Sequence, residues 1–436
     1  MTAGASEAAE TAVAIAPVKL SSSARHRIFL YLGVLIVLLA FGAPSGGLID
    51  IPISFLLKNK LQLTAHEVAS FRLVAAIPLY LSFVFGFIRD VWNPLGMRDR
   101  GLMLLFGGVS AALYVVFAFI PISYVTLLVA VFVLTSSFLF VQSAQNALTA
   151  VVGQQHAMTG QISAAWNIFL SIPTVGALLA GGMLSGLLEE QGADQAARIL
   201  FLVGAAIMGS VALYALWRPR EVFDDADAEH VAGRSPTESL KILARHWPIY
   251  PALLIWLLWN FAPGSTTPLQ YHLQNELHAS DAQWGAWNAI FAASFIPTFM
   301  VYGVLCKRFA LRTTLLWGTV IAVPQMIPLL FIHSTTGALI AAAPIGLMGG
   351  IATGAYADLI IRSCPRGLQG TTLMLANSLY FVVSRFGDVL GTHLYDRYGD
   401  FAVCVISITI VYALILPALM LVPKHLIATA DQPTAP

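Results

Sequence analysis

The chain has 436 residues, of which 58% are hydrophobic and only 10% are charged. Soluble domains carry about 25% charged residues, so this composition excludes a protein whose whole surface faces water. Its 23 basic and 22 acidic residues nearly balance, which excludes nucleic-acid binding because that needs a basic excess. Its three cysteines, Cys306, Cys364 and Cys404, fit neither a disulfide framework nor a zinc spacing. The sequence therefore predicts an integral membrane protein.

Apolar segments, bounded by charged and turn residues, recur along the whole chain. A membrane-spanning helix needs about 20 apolar residues, and the first and seventh segments are longer and interrupted by Gly and Pro. The segments are 28–57, 68–88, 101–120, 123–150, 160–188, 198–217, 247–275, 283–305, 314–332, 336–361, 370–392 and 401–422. This pattern predicts an all-α membrane protein with twelve transmembrane helices.

One long polar stretch, 218–246, divides these segments into two sets of six. We therefore expect a six-helix half at 28–217, a cytoplasmic linker at 218–246 and a second half at 247–422. The remaining residues, 1–27 and 423–436, are predicted to be cytoplasmic tails. The first tail lacks the basic start of a signal peptide, since Glu7 and Glu10 occupy that place.

Basic residues fall mainly on one side of this predicted topology. The loops on that side contain groups such as Arg89, Arg98 and Arg100, whereas the other side has few basic residues. Because loops rich in Lys and Arg stay in the cytoplasm, both termini are predicted to be cytoplasmic. We expect a multi-pass protein of the cell membrane, and the bacterial inner membrane in particular.

The two halves resemble each other in sequence. Pro52 and Thr64 correspond to Pro268 and Ser280, each 216 positions later, and Gly160 corresponds to Gly370 at an offset of 210. An internal duplication of six helices is typical of transporters whose halves move around a central site. The repeat therefore favours two pseudo-symmetric halves.

The loop between the second and third segments carries the most specific motif. Gly86 precedes Asp90, and a basic pair, Arg98 and Arg100, follows after a turn. This order resembles the signature loop of the major facilitator superfamily, and the resemblance implies that superfamily's twelve-helix fold. Asp90 is predicted to accept hydrogen bonds from a helix N-terminus or an arginine and to latch the cytoplasmic side in one state. The alternative is a solvated loop that only sets the orientation of the chain.

Three further stretches resemble the folate–biopterin transporter branch of that superfamily. They are 77–80, 267–277 and 362–371, and the last contains Cys364, Pro365 and Gly367. In this chain Gln369 stands where the branch often has Glu. The resemblance implies a pterin or folate-like anion as substrate.

Ionisable residues inside the predicted spans are functional candidates, because a charge in lipid is costly. Asp50 and Arg72 lie at equal distances from the first hairpin, so they are predicted to pair as a gate, a proton-linked switch or a fixed ion pair. Arg385 and Asp388 are predicted to pair along one helix face, in a specialised role or as local self-neutralisation. Asp358 either faces a cavity or pairs with Arg362.

Uncharged polar residues inside the spans are further substrate candidates. Such groups bind a heterocycle or bridge helices, and Trp166, Trp287 and Tyr380 are candidates for stacking on a planar ring. The polar candidates are Gln142, Asn146, Asn167, Asn260, Gln270, His272, Asn288 and Asn377.

These features predict a gradient-driven transporter of a small organic solute that works by alternating access. We expect a monomer in the lipid bilayer, with H⁺ or Na⁺ as candidate coupling ions and no cofactor, metal or nucleic acid. The rival functions on the same fold are a drug exporter and a permease for sugars or muropeptides. A receptor or scaffold would bind without flux, and an enzyme is not expected because no catalytic motif is present.

Overall fold

The structure is a computed structural model that describes residues 20–188, 191–223 and 235–431, and these residues form helices and no strands. Long apolar helices satisfy their backbone hydrogen bonds internally, as a bilayer requires. The first half has six of them: α1 (Ser22–Gly42, then Asp50–Phe55 and a π turn Leu56–Lys60), α2 (Ala65–Ala75, Ile77–Tyr80 and Ser82–Val91), α3 (Arg98–Ala118), α4 (Tyr124–Gln155), α5 (Thr159–Leu188) and α6 (Ala193–Tyr214).

The second half has the same order of elements, after a short linker helix, Pro236–Arg245. Its six helices are α7 (Ile249–Asn260, then Thr267–Tyr271 and a π turn His272–Glu276), α8 (Asp281–Arg308), α9 (Leu311–Ala322, then Ile327–Phe331), α10 (Thr335–Ser363), α11 (Gln369–Tyr398) and α12 (Phe401–Ala413, then Ile415–Ala418). In the described part of the chain, ten helices are long and apolar enough to cross a membrane, while α2 and α7 are in pieces. The predicted all-α fold with twelve helices is confirmed.

The internal repeat is visible in the local structure of the two halves. Both π turns end four residues before a helix N-cap, at Thr64 in one half and Ser280 in the other, 216 positions apart. Each N-cap accepts the third backbone N–H of its helix, and Glu67 or Gln283 closes a capping box. The two halves are therefore pseudo-symmetric in structure as well as in sequence.

The breaks in α1 and α7 also correspond to each other. A Cβ on Gly181 of α5 would meet the Ile51 Cβ at 3.6 Å, beside the break in α1. A Cβ on Gly391 of α11, 210 positions later, would meet the carbonyl carbon of Pro263 at 2.8 Å, at the break in α7. Each break is thus packed against a glycine of a long neighbouring helix, in agreement with the predicted interruptions.

Both ends of the described chain lie at one end of the helix bundle, which we call the terminal face. Arg27, near the start of α1, pairs with Glu221 at 2.6 Å, and Thr429 of the C-terminal tail accepts a hydrogen bond from Arg362 at the end of α10. The other end is called the opposite face. The predicted N-terminal tail up to residue 19 and the acidic part of the linker, 224–234, lie outside the described residues.

Candidate functional site

The halves meet at the terminal face where α2 crosses α11. A Cβ on Gly86 would overlap the Gly370 carbonyl oxygen and would lie 2.8 Å from the Met374 Cβ, so only glycine allows this approach. Asp90 is buried, and its Oδ2 accepts the Thr371 N–H at 2.7 Å and the Thr371 hydroxyl at 2.6 Å. A carboxylate is stabilised at a helix N-terminus. The predicted contact of Asp90 with a helix N-terminus across the bundle is present in the structure.

The basic residues around Asp90 differ from those expected. Arg89 donates to Asp90 at 2.7 Å and forms an ion pair with Asp99. Arg100 instead donates to the Ala215 carbonyl at 3.2 Å, and the Arg98 N–H donates to the Asn93 side chain. The arginine that contacts Asp90 is therefore its neighbour Arg89, and the grouping of Arg98 and Arg100 with Asp90 in one latch stays a prediction.

Deeper in the bundle, α2 and α11 remain joined by polar side chains. The Ser82 hydroxyl donates to the Met374 carbonyl at 3.0 Å and lies 2.9 Å from the Ser378 hydroxyl. Asn377 donates to Ser82 at 3.2 Å, and Asn146 of α4 donates to the Met374 sulfur at 3.3 Å. Two predicted candidates, Asn146 and Asn377, therefore lie between the halves.

Three other predicted amides are bonded within their own helices. Asn167, Asn260 and Asn288 each donate to the carbonyl oxygen four residues earlier, at 2.8 to 2.9 Å. One amide N–H of each residue is therefore occupied within its own helix. Gln142 of α4 is half-buried.

Asp358 of α10 pairs with Arg362, one turn later, at 2.9 Å. It is buried and also accepts the Tyr302 hydroxyl of α8 at 2.9 Å. The alternative in which Asp358 pairs with Arg362 therefore describes the structure, and the cavity-facing alternative does not.

The predicted pair of Arg385 and Asp388 on α11 does not form. Asp388 accepts the Thr267 N–H at 2.9 Å and both hydroxyls of Thr266 and Thr267 at 2.7 and 2.9 Å. These groups lie at the break in α7, where a helix start leaves an N–H without an intrahelical partner. Asp388 therefore accepts the backbone N–H that the break in α7 leaves without a partner, and Arg385 does not pair with Asp388.

Arg385 is exposed, and its charge acts on the Tyr380 phenol. Within residues 20–188, 191–223 and 235–431, no hydrogen bond or ion pair holds its guanidinium. Helix periodicity puts Arg385 on the same face of α11 as Met374 and Ser378, which contact α2. Arg385 thus faces the first half at a depth beyond the last of these contacts.

Asp50 and Arg72 lie close together but do not form the predicted direct ion pair. Arg72 donates to the Ser54 hydroxyl at 2.6 Å, and that hydroxyl donates to the Asp50 carbonyl at 2.9 Å. Asp50 interacts with Arg72 only electrostatically. The prediction assumed the same regular helical rise on both sides of the hairpin. The π turn Leu56–Lys60 lies between Asp50 and the hairpin, so this assumption does not hold on the side of Asp50.

At the opposite face, His272 begins the π turn of α7. Its Nδ1 lies 2.9 Å from Glu276, its ring stacks on Phe401 with centroids 4.5 Å apart, and Tyr395 donates to Glu276 at 2.7 Å. Gln270, two residues earlier, lies 3.4 Å from Gln274. His272 is thus enclosed by a local cluster away from the contacts between the halves.

Of the aromatic candidates, Tyr380 is the one near a charged candidate, Arg385. Trp287 is buried and stacks on Trp284 and Phe291 within α8, as packing residues do. Trp166 is half-buried on α5.

Sequence reasoning missed Asp431 in the C-terminal tail. Asp431 is buried, pairs with Arg362 at 3.0 Å and accepts the Gln161 N–H of α5 at 2.9 Å. A polar tail of low hydropathy gives no sign of such a contact. The one sequence signal for a missing acid is in the loop after α8, where Lys307 occupies the position that corresponds to Asp90.

Comparison with known proteins gives a sequence match and a structural match. The sequence profile described as the Major Facilitator Superfamily matches residues 157–388, more than half of the chain. No curated protein matches the chain.

Two crystal structures share the fold. One is an MFS transporter, FucP, in the outward conformation: 16% identity, TM-score 0.65, 91% of this chain and 98% of that one covered. The other is a variant of the E. coli fucose:proton symporter FucP: 15% identity, TM-score 0.63 and the same coverage. At such identities the likeness shows the fold alone, and the folate–biopterin branch finds no support in these matches.

Proposed function

The chain belongs to the major facilitator superfamily, and from that premise we propose that it carries a small organic anion across the membrane by alternating access. The observation that carries the anionic part is Arg385, a cation in the membrane-spanning region without an acidic partner among the described residues. A charge in such a site is costly unless a counter-charge neutralises it. A carboxylate or phosphate of the substrate is the counter-charge that we propose.

The packing of α2 against α11 supports a site between the halves. The helices run antiparallel, with Gly86 beside Gly370 and Ser82 bonded to Met374. We propose that the same register, continued along both helices, brings Arg72 towards Ser384, next to Arg385. Arg72 and Arg385 are both exposed, so we propose that they face the same space.

Contacts at the terminal face support the alternating-access part of the proposal. Gly86, Asp90 and Gln154 all contact α11 or the turn before it, and Gln154 donates to the Cys364 carbonyl at 2.9 Å. Deeper in the bundle, Asn146 contacts Met374 and Ser82 contacts Ser378, so the halves remain in contact beyond the terminal face. We propose that this is the state closed at the terminal face, with the substrate site reached from the opposite face.

Thermal stabilisation of the purified protein tests anion binding. A ligand that binds the folded state at 100 times its Kd stabilises it by about 2.7 kcal/mol. Glucuronate or folate is therefore expected to raise Tm by a few degrees, and Arg385→Gln is expected to remove that rise. Stabilisation by neutral L-fucose, unchanged in Arg385→Gln, would instead favour a sugar substrate, the alternative that the fold of FucP brings in.

For the coupling ion, we propose H⁺, because one of the structures that share the fold is a fucose:proton symporter. Asp50 is the candidate carrier, since it is half-buried beside Arg72 and protonation would change the charge of that pair. An inward proton gradient is expected to drive concentrative uptake in proteoliposomes. Asp50→Asn should abolish this uptake and leave solute exchange in the absence of a proton gradient intact. Concentrative uptake by Asp50→Asn would exclude Asp50 as the proton-carrying residue.

A further inference from the structure

The Asp90 contact has a pseudo-symmetric counterpart whose acid comes from a different part of the chain. Thr371, whose N–H is bonded to Asp90, is the third residue of α11, and Gln161, 210 positions earlier, is the third residue of α5. The Gln161 N–H donates to Asp431 at 2.9 Å. Both long helices of the interface therefore present the same backbone group to a carboxylate.

The glycines at the two sites match as well. A Cβ on Gly370 would lie 2.7 Å from Asp90, and a Cβ on Gly160 would lie 3.2 Å from Asp431 and 2.7 Å from the Cys306 Cβ. Gly160 and Gly370 are also related by the offset of 210. The same close packing of a carboxylate against a helix start thus occurs in both halves.

The loop that should supply the second acid lacks it. Gly303 of α8 corresponds to Gly86 of α2, and by the same offset Lys307 corresponds to Asp90. An acid of the C-terminal tail, Asp431, lies at this place instead. The Asp431 N–H donates to the carbonyl of Cys306, the residue before Lys307, at 2.9 Å. A guanidinium accompanies each acid, Arg89 at one site and Arg362 at the other.

The tail is held at several points around this site. Arg362 donates to the carbonyl oxygens of Leu426 and Thr429 at 3.2 and 2.9 Å, and the Leu311 N–H donates to Thr429 at 3.4 Å. Asp431 itself is only 3% exposed. It contacts α5 of the first half and α8 and α10 of the second, so its contacts require the halves to be together at the terminal face.

From this correspondence we infer that the C-terminal tail, through Asp431, replaces the acid missing from the second-half loop and acts as a second latch that holds the terminal face closed. The latch is separate from the substrate site and does not depend on which solute is carried. When the halves part at the terminal face, Asp431 cannot keep both Gln161 and Cys306, so the tail must undock.

The distance between the halves at the terminal face tests this latch. Spin labels at Arg220→Cys and Arg308→Cys report it by double electron–electron resonance, since both residues are exposed. Arg220 precedes Glu221, which the ion pair with Arg27 holds against the first half, and Arg308 ends α8 of the second half. The parent without these cysteines controls for labelling of the three buried native cysteines. Asp431→Ala is expected to raise the ratio of open to closed distances about tenfold, the effect of losing roughly one charge-assisted contact.

A rescue variant separates a latch from a general effect of the tail. Lys307→Asp in the Asp431→Ala protein puts an acid at the position that corresponds to Asp90, and should restore the closed distance. Lys307→Ala in the same protein is the matched control and should not restore it. Unchanged distances in Asp431→Ala, or equal rescue by both Lys307 variants, would overturn the inference.

The pH dependence gives a second readout. Burial and the Asp358 carboxylate raise the pKa of Asp431 to about 6, against the opposing effect of Arg362. The undocked tail has the ordinary Asp value, so docking takes up a proton and strengthens as pH falls from 6 towards 4. The charged and titratable groups around the carboxyl group are Arg25 of α1, Tyr302, Cys306 and Lys307 of α8, Asp358 and Arg362 of α10, Arg366 after α10, and His425 of the tail itself.

From pH 7.5 to 5.5 the closed population should therefore rise about fourfold relative to the open one. Asp431→Asn keeps an acceptor for the Gln161 N–H and cannot titrate, so it should stay closed and show no such rise. The same pH dependence in Asp431→Asn and the parent would overturn the role of this carboxyl group.

Discussion

Arg385→Gln is expected to lower kcat/KM for an anionic solute about 100-fold. Truncating one partner of a desolvated charge pair costs about 2–5 kcal/mol, and each 1.4 kcal/mol is a factor of ten. Glutamine keeps two N–H donors but removes the charge that we propose as the counter-ion of the substrate. The measurement is the initial rate of labelled glucuronate or folate uptake into proteoliposomes over a range of concentrations.

Arg220→Gln is the matched control for this variant. Arg220 is also exposed but lies at the terminal face, away from the proposed site, so its loss should leave kcat/KM within about twofold of the parent. Equal uptake of the anion by Arg385→Gln and the parent would contradict the proposed role of Arg385.

Gly86→Ala is expected to open the terminal face and to slow transport about tenfold. The added Cβ would overlap the Gly370 carbonyl oxygen and approach the Met374 Cβ, so α2 and α11 would have to separate. Overpacking of this kind costs about 1–3 kcal/mol, and it acts only on the closed state. The expected results are a shift of the spin-label distance between Arg220→Cys and Arg308→Cys towards the open value and a lower uptake rate.

Gly108→Ala of α3 controls for the loss of a helical glycine, because a Cβ there meets no atom within 4 Å. That variant should keep the parent distance and rate. Gly86→Ala with the parent distance distribution would show that the close approach of α2 and α11 does not limit closure of the terminal face.

Features of the fold that depend on local sequence were predictable. The twelve helices follow from runs of apolar residues, and the breaks in α1 and α7 follow from Gly and Pro within those runs. The halves could be aligned because Thr64 and Ser280 are N-caps that need the same residue types in each copy. The second helix was harder to predict, since Pro78 divides α2 into pieces that read as one apolar segment.

Contacts in the candidate site were predictable only where one motif defines both the residue and its neighbour. The loop around Gly86 and Asp90 was such a motif, and the approach to a helix start was expected from charge alone. The pair of Arg385 and Asp388 was inferred from spacing along one helix. In the structure Asp388 instead accepts hydrogen bonds from Thr266 and Thr267, because a backbone N–H left by a helix break needs an acceptor.

Contacts between residues far apart in the sequence could not be predicted. Arg72 bonds to Ser54 where a direct pair with Asp50 was expected, because the chain between Asp50 and the hairpin includes the π turn Leu56–Lys60, which residue spacing does not reveal. Asp431 lies 270 positions from Gln161. Its partner is a backbone N–H, which every residue except proline has, so no side-chain pattern marks the contact.

Counterflow in proteoliposomes tests the central claim most directly. Vesicles containing the purified protein are loaded with unlabelled glucuronate or folate, and labelled anion is added outside. Because an alternating-access transporter exchanges internal for external solute without an ion gradient, the parent should accumulate label transiently, faster than Arg385→Gln and above protein-free vesicles. No accumulation of either anion above protein-free vesicles, with label accumulating only when the solute is neutral L-fucose, would contradict the claim that this protein carries an organic anion.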